Sequence, residues 1–231
     1  MKKGLFSQLL VKTLPVMAGY LVLGTGFGIL MNVNGFGLWA VLAMSVLVYA
    51  GSMQFAGISL ITSGASLLSI ALTTLMVNAR HLFYGISMIE KYRGAGICKP
   101  YLMHSLTDET YSLVVSEKVP EGISPFKYFT LISLFNHAYW VIGSMLGFLI
   151  GSMLPFDPAG IDFAMTALFV TVFTEQWLSV REHRPALTGL GASAFCLMVF
   201  GADQFLIPAM ALITALLLLS KKKLEGKMDR E

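Results

Sequence analysis

The sequence predicts an all-α polytopic membrane protein, with about six to seven transmembrane helices in two internal repeats and some of the helices broken. Hydrophobic residues make up 56% of the 231 residues and charged residues only 13%, which is far from the balance of a soluble domain. Apolar runs long enough to cross a hydrocarbon core of about 30 Å recur along the chain between short polar stretches.

The apolar runs define the expected elements in order. The expected spans are 13–31, 38–61, 67–89, 126–150 and 161–178, followed by 186–220, a run long enough to cross twice and interrupted at "GADQ". The basic N-terminal segment lacks a convincing small-residue cleavage site, so we expect it to be retained. The segment "YLMHSLTDETYSLVVSEKVPEG" is too polar to span and is expected to form a cytoplasmic or interfacial helix.

The two halves of the chain resemble each other. A shift of about 122 residues pairs Gln54 with Gln176 and "LMV" with "LMV". This pattern predicts a single integral membrane transporter domain, 1–231, with repeat one at about 9–92, a polar connector at about 93–125 and repeat two at about 126–221. Glycines four residues apart in "GTGFGIL" and "GSMLGFLIG" predict close helix packing.

The orientation of the repeats depends on their third elements. A single crossing there makes the repeats inverted, whereas a hairpin allows all the basic clusters to lie inside, as positive-inside bias favours. In a further alternative only 186–220 crosses twice, which gives seven spans and places the N-terminal lysines outside. The basic "SKKK" near the C-terminus predicts that this end is cytoplasmic.

The strongest functional signal is "NARHLFYGISM". A charge within a span is costly and usually faces the bundle interior or a water-filled cavity. Asn78 and His81 share one helix face, Arg80 is adjacent, and Tyr84 follows one turn after Arg80. The alternative is that Arg80 reaches an interface or pairs with a structural acid. We predict a substrate site here.

Further candidates lie in the matching elements of the two halves. "VYAGSMQFAG" places Gln54 and Phe55 in a glycine-rich stretch that either unwinds or forms a tight helix crossing. Gln176 is its counterpart. Candidate partners for the substrate ammonium, or carriers of a coupling proton, are Glu175 and Asp203, and His81 is a further proton-relay candidate.

The connector contains "LTDETYSL", in which Thr107 is expected to cap a helix that has Asp108 and Glu109 in its first turn. Capping alone would account for these three residues. No nucleotide-binding loop, zinc-protease motif or nucleophile elbow appears, so we expect neither an enzyme nor a metal or other cofactor. The net charge of +3 forms no dense basic stripe, which argues against nucleic-acid binding.

The segments "YAGSMQFAG", "NARHLFYGISM" and "LTDETYSL" together resemble the AzlC family, the large subunits of two-component branched-chain amino-acid exporters. The resemblance implies a multi-pass permease of the bacterial inner membrane that exports leucine, isoleucine, valine and methionine. It also implies a small hydrophobic partner of the AzlD type in the lipid bilayer. With no nucleotide-binding motif in the sequence, the proton gradient is the expected driving force. The alternatives are a non-transporting sensor or assembly subunit and a small-solute channel.

Overall fold

A computed structural model describes residues 3–115, 117, 119–120, 122–153, 166, 170, 173–174, 177–178, 182–201, 205, 208–209 and 211–219. All the regular structure within these residues is helical. The α-helices are α1 (Lys3–Val33), α2 (Leu38–Ala43), α3 (Gly51–Thr62), α4 (Leu67–Val77), α5 (Ala79–Met88), α6 (Lys99–His104), α7 (Asp108–Val115), α8 (Pro125–Met153) and α9 (Arg184–Phe200). A π-helical turn, Met44–Val48, follows α2, and a 3₁₀ turn, Gly96–Cys98, precedes α6.

Two of the described helices are long and apolar enough to cross a membrane on their own. They are Leu5–Val33 in α1 and Pro125–Met153 in α8, and they correspond to the expected spans 13–31 and 126–150. The expected spans 38–61 and 67–89 are not continuous helices, because each is interrupted near its middle. The total of six to seven spans therefore stays a prediction.

The two long helices lie side by side and run in the same direction. Thr13 Oγ1 lies 3.0 Å from the Tyr139 hydroxyl in the middle of α8, and further along both helices Asn32 contacts Gly151 near their ends. The predicted close packing of the two glycine motifs is confirmed, since a methyl group on Gly28 would collide with the backbone of Ser144. The two helices are therefore parallel.

The expected span 38–61 folds instead as a hairpin. The π-helical turn ends at Tyr49, which has left-handed backbone angles (φ 42°, ψ 47°) that a non-glycine residue rarely adopts. After this break α3 starts beside Trp140, and its Phe55 packs against Phe27 in the later part of α1, with ring centroids 5.7 Å apart. We call this segment, 38–62, hairpin one. Its tip at Tyr49 and Ala50 lies at the level of the middle of α8.

The expected span 67–89 is also interrupted. It forms α4 and α5 with a break at Asn78, whose backbone leaves the helical conformation (φ −94°, ψ 5°). At the far end of α5, Met88 belongs to the same buried cluster as Leu9 near the beginning of α1. The two short helices together therefore form one broken segment, α4–α5, that runs opposite to α1.

The polar connector packs against α1, and its expected place as a cytoplasmic or interfacial helix stays a prediction. Leu102 of α6 packs in the cluster near the beginning of α1, whereas Thr107 reaches Tyr20 in the middle of α1. The chain then returns along α7, because Glu117 pairs with Lys12. We call this segment, 99–117, hairpin two. The first turn of α7 carries two acidic residues, Asp108 and Glu109, which contact Arg80 and Tyr20.

Residues 167–231 form a separate compact unit. Within it α9 ends at Gly201, where a φ of 74° is readily adopted only by glycine, and residues 211–219 are helical. Gly201 marks the predicted interruption at "GADQ". The site candidates Glu175, Gln176 and Asp203 lie outside the described residues.

Candidate functional site

Three interruptions of the helical chain meet at one cavity. They are the break at Tyr49, the break at Asn78 and the turn between α6 and α7 in hairpin two. The cavity volume is about 220 Å³, which is below the range of about 300–1,000 Å³ typical of drug-sized ligands and large enough for a small solute. The cavity is lined by Val48, Tyr49, Ala50, Asn78, His81, Gly85, Met103, His104 and Leu106. Hairpin one, the α4–α5 break and hairpin two each contribute three of these residues.

Two helices begin at the cavity with uncapped N-termini. The residue before α3 is Ala50, and the residue before α5 is Asn78; neither provides a side-chain cap hydrogen bond. The first N–H groups of a helix carry partial positive charge and are left without intrahelical partners. The arrangement is therefore suited to binding an anion such as a carboxylate.

An ion pair connects these elements beside the cavity. The Arg80 guanidinium contacts the Asp108 carboxylate and also donates a hydrogen bond to Ser52 Oγ (3.0 Å) in the first turn of α3. The Arg80 and Asp108 side chains are 34% and 28% exposed. His81, which lines the cavity, has its Nε2 4.0 Å from Asp108 Oδ1. Arg80 thus has the acidic partner that the alternative interpretation of the sequence expected, and this partner is Asp108 in hairpin two.

This ion pair has unused hydrogen-bonding capacity. Arg80 Nε and Asp108 Oδ1 are both buried without a hydrogen-bond partner among the described residues. A buried unpaired donor or acceptor costs about 1–3 kcal/mol. The pair therefore offers one donor and one acceptor that a ligand with both a carboxylate and an ammonium group can satisfy.

Tyr84 supports the site from the side of α5. Its ring stacks on Tyr111 of hairpin two, with centroids 4.3 Å apart and an interplanar angle of 13°. It also makes an edge contact with His81 at 5.8 Å. Tyr84 thus joins α5 to α7 without lining the cavity.

The candidates Gln54 and Phe55 lie elsewhere on α3. Both are buried, and Phe55 faces Phe27 of α1. Neither polar atom of the Gln54 side chain has a hydrogen-bond partner among the described residues. Both residues belong to α3, which begins at the cavity, but neither of them lines it.

Most lining residues were not predicted from the sequence, among them Tyr49 and His104, whose rings are polar. The Tyr49 ring stacks on His137, with centroids 4.1 Å apart. The imidazole nitrogens His104 Nε2 and His137 Nε2 lie 3.3 and 3.2 Å from the carbonyls of Val46 and Ser45 in the π-helical turn. Polar partners of this kind stabilise a break in membrane-embedded backbone. The only signal in the sequence was the Val48–Gly57 stretch itself.

Hairpin two brings a polar network to the middle of α1. Thr107 Oγ1 accepts a hydrogen bond from the Thr110 N–H (3.3 Å), as a helix cap does. The Tyr20 hydroxyl lies 2.6 Å from Thr107 Oγ1 and 2.6 Å from Glu109 Oε2, and Asn136 Nδ2 donates to Thr110 Oγ1 (3.0 Å). Capping therefore does not account for all the contacts of the "TDE" segment.

Comparison of the sequence with known proteins identifies the family. A family model described as AzlC protein matches residues 15–154. The chain is 43% identical over 213 residues to the branched-chain amino acid transport protein AzlC of Bacillus subtilis (strain 168), which covers 92% of this chain and 84% of the relative. It is 38% identical over 220 residues to an uncharacterized membrane protein of Helicobacter pylori, covering 95% of this chain and 96% of that protein.

A more distant relative is the inner membrane protein YgaZ of Escherichia coli (strain K12), which is 26% identical over 171 residues, or 69% of this chain and 68% of the relative. No solved structure matches the chain. The family match spans both hairpins, α4, α5, all of α8 and α1 from residue 15 onward. The chain belongs to the AzlC family of membrane proteins.

Proposed function

We propose that the chain is the large subunit of a secondary transporter in the bacterial inner membrane. It exports leucine, isoleucine, valine and methionine, is driven by the proton gradient and works with a small hydrophobic AzlD-type subunit. The observation that carries the proposal is the convergence of three helix interruptions on one cavity beside the Arg80–Asp108 pair. Transporters commonly bind their substrates where discontinuous helices meet near the midplane. The name of the Bacillus subtilis relative supports the substrate class.

The carboxylate of the amino acid binds at the uncapped N-terminus of α3 together with Arg80. The hydrogen bond from Arg80 to Ser52 holds the guanidinium against the first turn of α3, so positive charge and free N–H groups face the same region. A planar guanidinium matches a carboxylate with two parallel hydrogen bonds.

The ammonium group binds Asp108, whose Oδ1 is free to accept a hydrogen bond. In the absence of substrate Arg80 neutralises this carboxylate. A zwitterion inserted between the two side chains satisfies both with opposite charges, so no net charge is left uncompensated.

The apolar side chain of the substrate occupies the remaining wall of the cavity. Val48, Gly85, Met103 and Leu106 provide an apolar surface there. A methionine wall adapts to branched and unbranched aliphatic groups because its side chain is flexible and polarizable. The cavity thus accommodates several aliphatic amino acids.

The two hairpins supply the moving parts of the cycle. Hairpin one enters from the side where α1 ends, and hairpin two enters from the side where α1 begins. Displacement of either tip opens the cavity to one side only, as alternating access requires. The beginning of α1 and the turn after α5 both carry basic residues, Lys12, Lys91 and Arg93, so we assign this side to the cytoplasm. The C-terminus is assigned to the same side.

Counterflow of labelled leucine tests the proposed function. Membrane vesicles that contain this chain and its small partner are loaded with unlabelled leucine, and uptake of external labelled leucine is followed. We expect transient accumulation that is competed by isoleucine and valine, and much weaker accumulation when the partner is omitted. Charged amino acids serve as non-competing controls. Absence of counterflow identifies a sensor or assembly subunit, and flux without exchange identifies a channel; either result refutes the carrier.

A further inference from the structure

Glu109 is a carboxyl group to which the proposed substrate site gives no role. It follows Asp108 in the first turn of α7. Unlike Asp108, it has no ion pair with a basic side chain among the described residues. It is partly buried beside Tyr20 in the middle of α1. A carboxylate in such a place is costly unless it is paired or protonated.

Glu109 lies at one end of a chain of hydroxyl groups. Three short contacts link four oxygens: Glu109 to Tyr20 (2.6 Å), Tyr20 to Thr107 (2.6 Å) and Thr107 to Thr110 (3.1 Å). The Tyr20 hydroxyl donates to Glu109 Oε2 when the carboxylate is ionised. Either oxygen can be the donor between Tyr20 and Thr107.

The same contacts accommodate a proton on Glu109. The carboxyl O–H then donates to the Tyr20 oxygen, and Tyr20 donates to Thr107. The hydroxyl chain therefore satisfies Glu109 in both protonation states, while no basic side chain among the described residues holds the carboxylate ionised.

We propose that Glu109 is the proton-binding residue of this transporter, protonated in the conformation described here and ionised when the amino acid is bound. This inference rests on the proposed function. It differs from the sequence-based candidates for proton coupling, His81, Glu175 and Asp203.

Charged and titratable groups from several elements surround Glu109. The Asp108 carboxylate lies next to it on α7, and the phenols of Tyr20 and Tyr49 face it from α1 and hairpin one. Arg80 on α5 is occupied by Asp108, and α8 contributes the neutral Asn136 through Thr110. None of these groups supplies a cation dedicated to Glu109.

The position of Glu109 explains how proton and amino acid exchange. Ionisation of Glu109 adds a negative charge beside Asp108, where the substrate ammonium binds, and so strengthens ammonium binding. Protonation removes that charge. The two ligands therefore compete, and reciprocal competition of this kind is what an antiporter needs to export one ligand against entry of the other.

The test measures the half-saturating leucine concentration for counterflow between about pH 6 and about pH 8 in vesicles that contain the full chain and its small partner. In the wild type it should fall as pH rises, by up to about tenfold per pH unit while one proton is displaced. In Glu109→Gln, which mimics the neutral acid, it should change by less than about twofold over the same range. The matched control is Glu90→Gln, because Glu90 is an exposed acid paired with Arg93. It should keep the wild-type pH dependence.

Tyr20→Phe provides a second readout if the Glu109→Gln protein does not insert into the membrane. It removes the hydroxyl that stabilises the ionised carboxylate, so the midpoint of the pH dependence should move to higher pH. Wild-type pH dependence in Glu109→Gln, or an unmoved midpoint in Tyr20→Phe, overturns the assignment of Glu109. Wild-type counterflow that is independent of pH overturns it as well. Absence of wild-type counterflow refutes the proposed function instead.

Discussion

Arg80→Lys is expected to abolish leucine transport while the protein is made, inserted and nearly as heat-stable as the wild type. Lysine keeps a positive charge near Asp108 but lacks the planar fork, so it cannot contact Asp108, Ser52 and a substrate carboxylate together. Loss of hydrogen bonds to a charged group costs about 1.5–3 kcal/mol. Leucine affinity should therefore fall about 10- to 100-fold, as measured by binding of labelled leucine to the purified protein.

Two further variants separate a substrate role from a structural one. Arg80→Ala should also lower thermal stability, by about 1–2 kcal/mol, because it leaves Asp108 without its cation in a partly exposed position. The exchange Arg80→Asp with Asp108→Arg restores opposite charges and should recover stability but not transport. Recovered transport in the exchange variant, or normal export by Arg80→Lys, would show that Arg80 is only a structural partner.

Gly28→Ala is expected to disrupt the packing of α1 against α8. A methyl group at this position collides with the backbone of Ser144 and Phe148, and backbone cannot move aside as a flexible side chain can. Overpacking costs about 1–3 kcal/mol and occasionally more, and a backbone clash is expected at the upper end. The variant should unfold at a clearly lower temperature in detergent and accumulate poorly in the membrane.

Gly26→Ala is the matched control on the same helix. A methyl group on Gly26 meets nothing within 4 Å, and alanine is favoured over glycine inside a helix by about 0.5–1 kcal/mol. This variant should be as stable as the wild type or slightly more stable. If Gly28→Ala behaves like Gly26→Ala, α1 and α8 do not pack at the distance described here.

The sequence predicts the long elements better than the site. α1 and α8 are continuous apolar runs whose glycine spacing indicates helix contact, and both features follow from local pattern. The stretch around Gln54 was expected to unwind or to cross tightly. The structure has a break within this stretch, at Tyr49, where the π-helical turn ends.

The break at Asn78 and the pairing of Arg80 with Asp108 had no local signal. Apolar residues continue on both sides of the polar segment Asn78–His81, so a single span was expected. Asp108 lies in a polar segment whose composition indicates a membrane surface. Acidic residues are also favourable in the first turn of a helix, so its position needed no further explanation. Only the return of hairpin two to Tyr20 brings Asp108 to Arg80, and such long-range contacts are not encoded in the periodicity of either segment.

The central claim is that leucine binds in the cavity where the two hairpin tips meet the α4–α5 break. A structure of the full chain determined with bound leucine tests it most directly. We predict density for the ligand in this cavity, with its carboxylate about 3 Å from Arg80 and the first turn of α3 and its ammonium group facing Asp108. Leucine bound elsewhere in the protein, with this cavity empty, would contradict the account.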